Sequence, residues 1–219
     1  MASIVVFVDG SMRPVPDNIS DQRISLSWGV AAIEAESYVE LSGSKLVKVN
    51  YMQLFEIIAF LEGLRLALRR GYAYSEMSFY SDCPRVSYAQ HFLHEDNYRP
   101  HARDALLTTI AMACRLMEYE EGFKEKVIAC INRSRFIKVL GHKTCVYNNR
   151  VDYLAKCAGN KALKISDQCD DFDLWLSKGF VTWPTQYKAE MYYPPFVEPY
   201  GSSQLESKRH NEEMYLEPG

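Results

Sequence analysis

Two acidic residues follow apolar runs that are typical of buried strands. Asp9 ends the run at 4–8, and Asp82 ends the run at 77–81. A short apolar, β-branched run predicts a strand, and an ionised carboxylate is too costly to leave in a core without a partner. Each of these carboxylates is therefore expected at the end of its strand, facing a cleft or a metal ion.

Two further acidic residues lie on predicted helices. Glu56 is in the early turns of the segment 50–70, which carries an apolar stripe at helical spacing, and Asp152 is in the segment 148–163. If the four carboxylates gather, they cannot all stay ionised without a cation. A hard divalent ion with oxygen ligands meets that need, and Mg²⁺ is the usual one in phosphate chemistry.

The elements that position these residues follow from the hydrophobic periodicity. Strands are predicted at 4–9, 24–35, 38–49, 77–81, 127–131 and 135–140, and helices at 50–70, 84–93, 103–121 and 148–163. The long helix between the strands 4–9 and 77–81 allows them to lie parallel through a right-handed crossover. Asp9 and Asp82 would then meet at the carboxyl edge of the sheet, where open α/β sheets bind ligands.

Composition limits the class of protein. The chain has 219 residues, enough for one sizeable core and an appendage, and its net charge of −3 excludes a simple polycation that coats nucleic acid. Six cysteines without metal-type spacing predict reduced thiols in a cytoplasmic compartment. No apolar run reaches the roughly 18 residues of a membrane span, and the amino terminus lacks a signal-peptide pattern, so no membrane partner is expected.

Four segments in this order resemble type 1 ribonuclease H. They are VFVDGS at Asp9, EIIAFLEGLRLAL from Glu56, FYSDC at Asp82, and VLGHKTCVYNNRVDYLAKCA, which contains His142 and Asp152. The resemblance covers about residues 3–163. It implies an α/β fold, a ribonuclease H-like three-layer α/β/α domain with a five-stranded mixed sheet over 1–164. Residues 165–219 are expected to form a C-terminal extension, partly packed and partly disordered.

The resemblance also implies an activity. It is that of a metal-dependent endoribonuclease that cleaves the RNA strand of RNA–DNA hybrids by two-metal-ion hydrolysis. Asp9, Glu56, Asp82 and Asp152 would hold two Mg²⁺ ions, with Mn²⁺ as a substitute. His142 would assist proton transfer or product departure, because an ordinary histidine changes charge near neutral pH.

The same resemblance gives a set of substrate contacts. Gly10, Ser11 and Gln53 would present polar groups to the RNA strand, whose 2′-hydroxyl distinguishes it from DNA. Asn148 either joins this set or caps the last helix. Glu62 lies nearly two turns beyond the predicted catalytic glutamate and is expected to be a solvated surface residue.

Two segments depart from the family pattern. A proline- and aspartate-bearing loop at 12–25 replaces the usual glycine-rich loop, and the segment 93–103 lacks the lysine- and tryptophan-rich protrusion of many members. These departures predict weaker or altered hybrid binding.

Two alternative functions remain: a nuclease of the same fold acting on another nucleic acid, and a non-catalytic nucleic-acid-binding module. The aromatic residues at 183–200 either recruit a protein partner or pack on the domain itself.

Overall fold

The computed structural model describes residues 3–14, 24–35, 37–47, 54–94, 100–140 and 145–163. The boundary expected at 164 and the whole C-terminal extension lie outside these ranges. The strands are β1 (Ile4–Pro14), β2 (Ile24–Ile33), β3 (Tyr38–Val47), β4 (Met77–Ser81) and β5 (Arg135–Lys138). The α-helices are α1 (Leu54–Arg69), α2 (Pro84–Ser87), α3 (Ala89–His94), α4 (Pro100–Leu116), α5 (Phe123–Arg133) and α6 (Val146–Ala162), with a 3₁₀ turn at Tyr74–Glu76.

The five strands form one mixed sheet in the order β3-β2-β1-β4-β5. Strands β1, β2 and β3 pair antiparallel as a meander, whereas β4 pairs parallel with both β1 and β5. Helix α1 connects the meander to β4, as a parallel crossover requires. The five-stranded mixed sheet expected from the sequence is confirmed.

Helices cover both faces of the sheet. Gly63 of α1 faces the side chains of Val6 and Val8, while the ring of Phe7 contacts that of Tyr147 on α6 at a centroid distance of 5.0 Å. Because successive side chains of a strand point to opposite faces, α1 and α6 form separate layers. Helices α4 and α5 pack against α1. The predicted three-layer arrangement is therefore confirmed.

The layer formed by α6 lies unusually close to β2. A Cβ atom added to Gly29 would lie 2.1 Å from the carbonyl oxygen of Val151, which is far inside van der Waals contact. Only a residue without a side chain allows this approach. The close contact fixes where α6, and therefore Asp152, stands over the sheet.

Two predictions about local structure were wrong. The segment 127–131, predicted as a strand, lies inside α5, and the helix predicted at 103–121 is α4, which runs from Pro100 to Leu116. The buried residues of α5 are Phe123, Val127, Cys130 and Ile131, at helical rather than alternating spacing. The short run at 127–131 contains β-branched residues, which favour a strand, and it is too short to show the helical period.

The prediction that Glu62 is a solvated surface residue was also wrong. Glu62 is only 9 % exposed, and its Oε1 accepts a hydrogen bond from the Tyr119 hydroxyl at 2.6 Å. Arg65, one turn further along α1, lies 3.4 Å from the same oxygen. The segment after α4 folds back over α1 and covers this carboxylate.

Among the described helices, none is long and apolar enough to cross a lipid bilayer.

Candidate metal centre

Three carboxylates from separate elements meet where β4 ends beside β1. One oxygen each of Asp9, Glu56 and Asp82 lie within 4.8 Å of one another. Phe7 pairs with Tyr80 across the parallel strands, so the residues two positions further along each strand reach the same edge. Glu56 joins them from the first turn of α1. The adjacency of the two aspartates, expected from the crossover, is what the structure has. The expectation that Asp9 ends its strand was wrong, because β1 continues to Pro14 in pairing with β2, and only its pairing with β4 stops at Phe7.

Gly10 holds two of these carboxylates in place. Its backbone N–H donates to Asp9 Oδ1 at 2.8 Å and to Glu56 Oε2 at 3.2 Å. A Cβ atom at this position would lie 2.6 Å from the backbone carbonyl of Phe55. A side chain here would therefore push the start of α1 away from β1 and separate the two carboxylates.

The fourth acidic residue approaches from α6. Asp152 is buried, and its Oδ2 forms an ion pair with Lys156 Nζ, one turn later on α6, at 2.6 Å. The charge of Asp152 raises the pKa values of both Asp9 and Glu56, so it belongs to the same electrostatic cluster. Lys156 was not identified from the sequence, although a carboxylate followed four positions later by a lysine is a recognised helical ion-pair spacing.

Asn148 contacts the cluster and does not cap the helix. Helix α6 begins at Val146 with Cys145 at the N-cap position, which places Asn148 in the first helical turn. Its Nδ2 donates to Asp82 Oδ2 at 3.2 Å, and the side chain is completely buried. Its Oδ1 is buried and accepts no hydrogen bond from any described residue. The helix-cap alternative for Asn148 is therefore wrong, and its contact with the RNA strand stays a prediction.

The cluster is electrostatically unfavourable on its own. Burial, followed by the charges of Glu56, Asp82 and Asp152, raises the pKa of Asp9 well above its usual range. Burial and then the charge of Asp82 raise the pKa of Glu56 to about 8, and the Gly10 N–H opposes both shifts. A bound divalent cation would remove this repulsion, and carboxylate oxygens are the donors that hard cations prefer. The donor set therefore fits such an ion.

The remaining site residues predicted from the sequence fall into two groups. Ser11 lies in β1 two positions beyond Asp9, and its backbone carbonyl accepts a hydrogen bond from the Ser27 hydroxyl at 3.1 Å. Gln53 and His142 lie outside the described residues.

Solved structures with a similar chain path include three ribonuclease H proteins. The N-terminal RNase H domain of rv2228c from Mycobacterium tuberculosis, solved as a fusion with maltose binding protein, has a TM-score of 0.49 and 16 % identity, over 75 % of this chain and 98 % of that one. RNase H1 from Halobacterium salinarum has a TM-score of 0.46 and 14 % identity, over 73 % and 98 %. LC11-RNase H1 in complex with an RNA/DNA hybrid has a TM-score of 0.44 and 16 % identity, over 74 % and 99 %.

No protein-family model matches the chain, and no curated protein matches it in sequence. The fold is instead defined by observations on the chain itself. They are the sheet order β3-β2-β1-β4-β5, the parallel pairing of β4 with its two neighbours, and the helices on both faces. Together these features give the chain a ribonuclease H-like fold.

Proposed function

We propose that this protein is a metal-dependent endoribonuclease that cleaves the RNA strand of RNA–DNA hybrids. The observation that supports it is the convergence of Asp9, Glu56 and Asp82, whose oxygens lie within 4.8 Å of one another. They come from the middle of β1, the first turn of α1 and the residue that follows β4, and Asp152 reaches the same cluster from α6. Gathering four carboxylates lowers stability unless a cation is bound, which favours a metal-dependent function over a purely structural one.

The four carboxylates would hold two Mg²⁺ ions, or Mn²⁺ as a substitute. When bound, these ions would lower the pKa of an attacking water and stabilise the leaving 3′ oxygen. The chain's own groups orient the ligands: the Gly10 N–H fixes Asp9 and Glu56, and Asn148 Nδ2 fixes Asp82. Hydrogen bonds to metal-binding carboxylates commonly tune metal affinity.

Further roles rest on the sequence resemblance. His142 would move a proton or aid product departure, since the usual pKa of histidine lies near neutral pH. Gly10, Ser11 and Gln53 would contact the RNA strand, and the 2′-hydroxyl would provide the preference for a hybrid. Asn148, which binds Asp82, would act mainly on the metal centre.

A substrate panel tests the proposal. The full-length protein is incubated with labelled RNA–DNA hybrid, duplex DNA or duplex RNA, in Mg²⁺, in Mn²⁺ and in EDTA. We expect cleavage of the RNA strand of the hybrid only when metal is present. Asp9→Asn should abolish cleavage because it removes a ligand charge, while Glu125→Gln, an exposed position on α5, should not change it.

Each outcome has a distinct meaning. Circular dichroism establishes that every variant is folded before its activity is compared. An intact hybrid in both metals with a folded wild-type protein would contradict the nuclease assignment and favour a binding module. Metal-dependent cleavage of duplex DNA or duplex RNA instead of the hybrid would favour the second alternative, a nuclease of this fold with another substrate.

A further inference from the structure

Three carboxylates of the metal centre are bound by neutral donors. The Gly10 N–H donates to Asp9 and Glu56, and Asn148 Nδ2 donates to Asp82. Such donors orient a carboxylate without supplying a positive charge. The largest charge effects on the pKa values of Asp9 and Glu56 come from other carboxylates, which raise both values. The negative charge of these three residues is therefore left for a bound cation to balance.

The fourth carboxylate already has a cation from the chain itself. Asp152 Oδ2 lies 2.6 Å from the ammonium nitrogen of Lys156, one turn later on α6. Asp152 is not part of the set of three residues whose oxygens lie within 4.8 Å of one another. A charge-assisted hydrogen bond of this length is stronger than one between neutral groups. Lys156 therefore occupies a carboxylate that a two-ion centre would need.

The two partners of this ion pair differ in exposure. The side chain of Asp152 is 6 % exposed, whereas that of Lys156 is 38 % exposed. A buried carboxylate without a counter-charge is costly, so Asp152 needs either an ammonium group or a metal ion. Lys156 has a flexible four-carbon stem and a strongly hydrated ammonium group, and its side chain already reaches solvent. It can leave Asp152 by rotating its side chain, without any change in α6.

We propose that Lys156 controls the order in which two metal ions bind. The first ion binds to Asp9, Glu56 and Asp82, whose charges are not balanced by the chain. The second ion binds only when Lys156 releases Asp152 and turns to solvent. Lys156 is thus a positioning residue, because it acts through Asp152. The inference rests on the proposed function for its two-ion centre, and it adds a residue that makes the second ion bind more weakly than the first.

Counting bound Mn²⁺ tests the inference without substrate and without cleavage. The metal-free, full-length protein is titrated with Mn²⁺, and electron paramagnetic resonance measures the free ion, which gives two stepwise affinities. Wild type should bind the second ion more weakly than the first. Lys156→Met keeps the length of the side chain and removes its charge. It should tighten the second step by about tenfold, the usual size of one hydrogen bond to a charged group, and change the first step less.

Two further variants separate this ion pair from general charge and from packing. Lys161→Gln removes an exposed charge from the last turn of α6, and both affinities should stay near those of wild type. Lys156→Arg keeps a cation beside Asp152 and should restore the weak second step. Circular dichroism establishes that each variant is folded. If Lys156→Met is not folded, Lys156→Gln replaces it in the same titration.

The outcomes separate this inference from the proposed function. A second affinity that is the same in wild type and Lys156→Met would overturn the inference, even if the protein cleaves the hybrid. An equal gain in both steps would also overturn it, because a general loss of positive charge has that effect. A gain confined to the second step and reversed in Lys156→Arg supports the inference, even if cleavage is never observed. If wild type binds no Mn²⁺, the metal centre itself is contradicted, and the inference with it.

Discussion

The charge cluster predicts how the stability of the metal-free protein depends on pH. Glu56 is the residue to change, because burial and the charges of Asp82 and Asp152 raise its pKa to about 8. Glu56→Gln keeps nearly the same shape and removes the ionisable group. Its amide can still accept the hydrogen bond that Gly10 donates at 3.2 Å.

The sign follows from proton binding in the two states. The unfolded carboxyl has an ordinary pKa near 4.5 and the folded one a pKa of about 8, so between these values the folded protein binds more protons. The free energy of unfolding therefore falls as pH rises through this window, and Glu56 adds no further change outside it. Each pKa unit corresponds to about 1.4 kcal/mol, so Glu56 alone accounts for a loss of at most about 5 kcal/mol. Asp9, whose pKa is also raised, acts in the same direction.

Urea denaturation in EDTA across this pH window measures the effect. Wild type should lose several kcal/mol between the acidic and the alkaline end, whereas Glu56→Gln should show a clearly smaller loss. Glu125→Gln, an exposed substitution on α5, serves as the control and should follow wild type. Adding Mg²⁺ should restore the stability of wild type at alkaline pH, because bound cation replaces the proton.

One result would refute the reasoning. If the curves of wild type and Glu56→Gln run parallel in EDTA, the pKa of Glu56 is not raised in the folded protein, and neither burial nor the neighbouring charges act on it. If the curves differ but Mg²⁺ has no effect on either protein, the cluster exists without being a metal site.

Three further predictions concern packing and hydrogen bonds. Gly29→Ala should destabilise the protein by about 3 kcal/mol in urea denaturation, because its Cβ would lie 2.1 Å from the Val151 carbonyl oxygen and α6 must shift. Tyr119→Phe should cost about 1 to 3 kcal/mol in the same assay, because Glu62 loses a hydrogen bond while it stays buried. Asn148→Ala should weaken Mg²⁺ binding about tenfold by calorimetry, since it removes a hydrogen bond to a metal-binding carboxylate.

The sequence was sufficient for the adjacency of Asp9 and Asp82. Each of two apolar runs is followed by an aspartate, and a long amphipathic helix separates the runs. This order allows a right-handed crossover between parallel strands. In the structure β1 does pair with β4 in parallel. The same reasoning placed Glu56 at the start of α1, over those strand ends. The positions of these three carboxylates follow from the order of strands and helices along the chain, and hydrophobic periodicity predicts that order.

The details that failed depend on distant contacts. Glu62 is buried because Tyr119, 57 positions later, returns to bond it, and no local pattern encodes that pairing. The wrong strand prediction at 127–131 has a local cause: this short apolar run is typical of a strand, and the helical spacing of buried residues is visible only when the run is extended to Phe123. Lys156 was overlooked because its significance depends on Asp152 being buried at the cluster.

The electrostatics of the cluster couple stability and metal binding. Burial, followed by repulsion from three neighbouring carboxylates, raises the pKa of Asp9 in the metal-free protein, and a bound cation would relieve that repulsion. At a pH where Asp9 is ionised, a substitution that removes this repulsion should therefore stabilise the metal-free fold and weaken metal binding together. Asp9→Asn is the sharpest case, because three neighbouring carboxylates act on that one buried group. A variant that lost metal affinity without any gain in metal-free stability would show that cation binding depends on geometry alone and not on relieved repulsion.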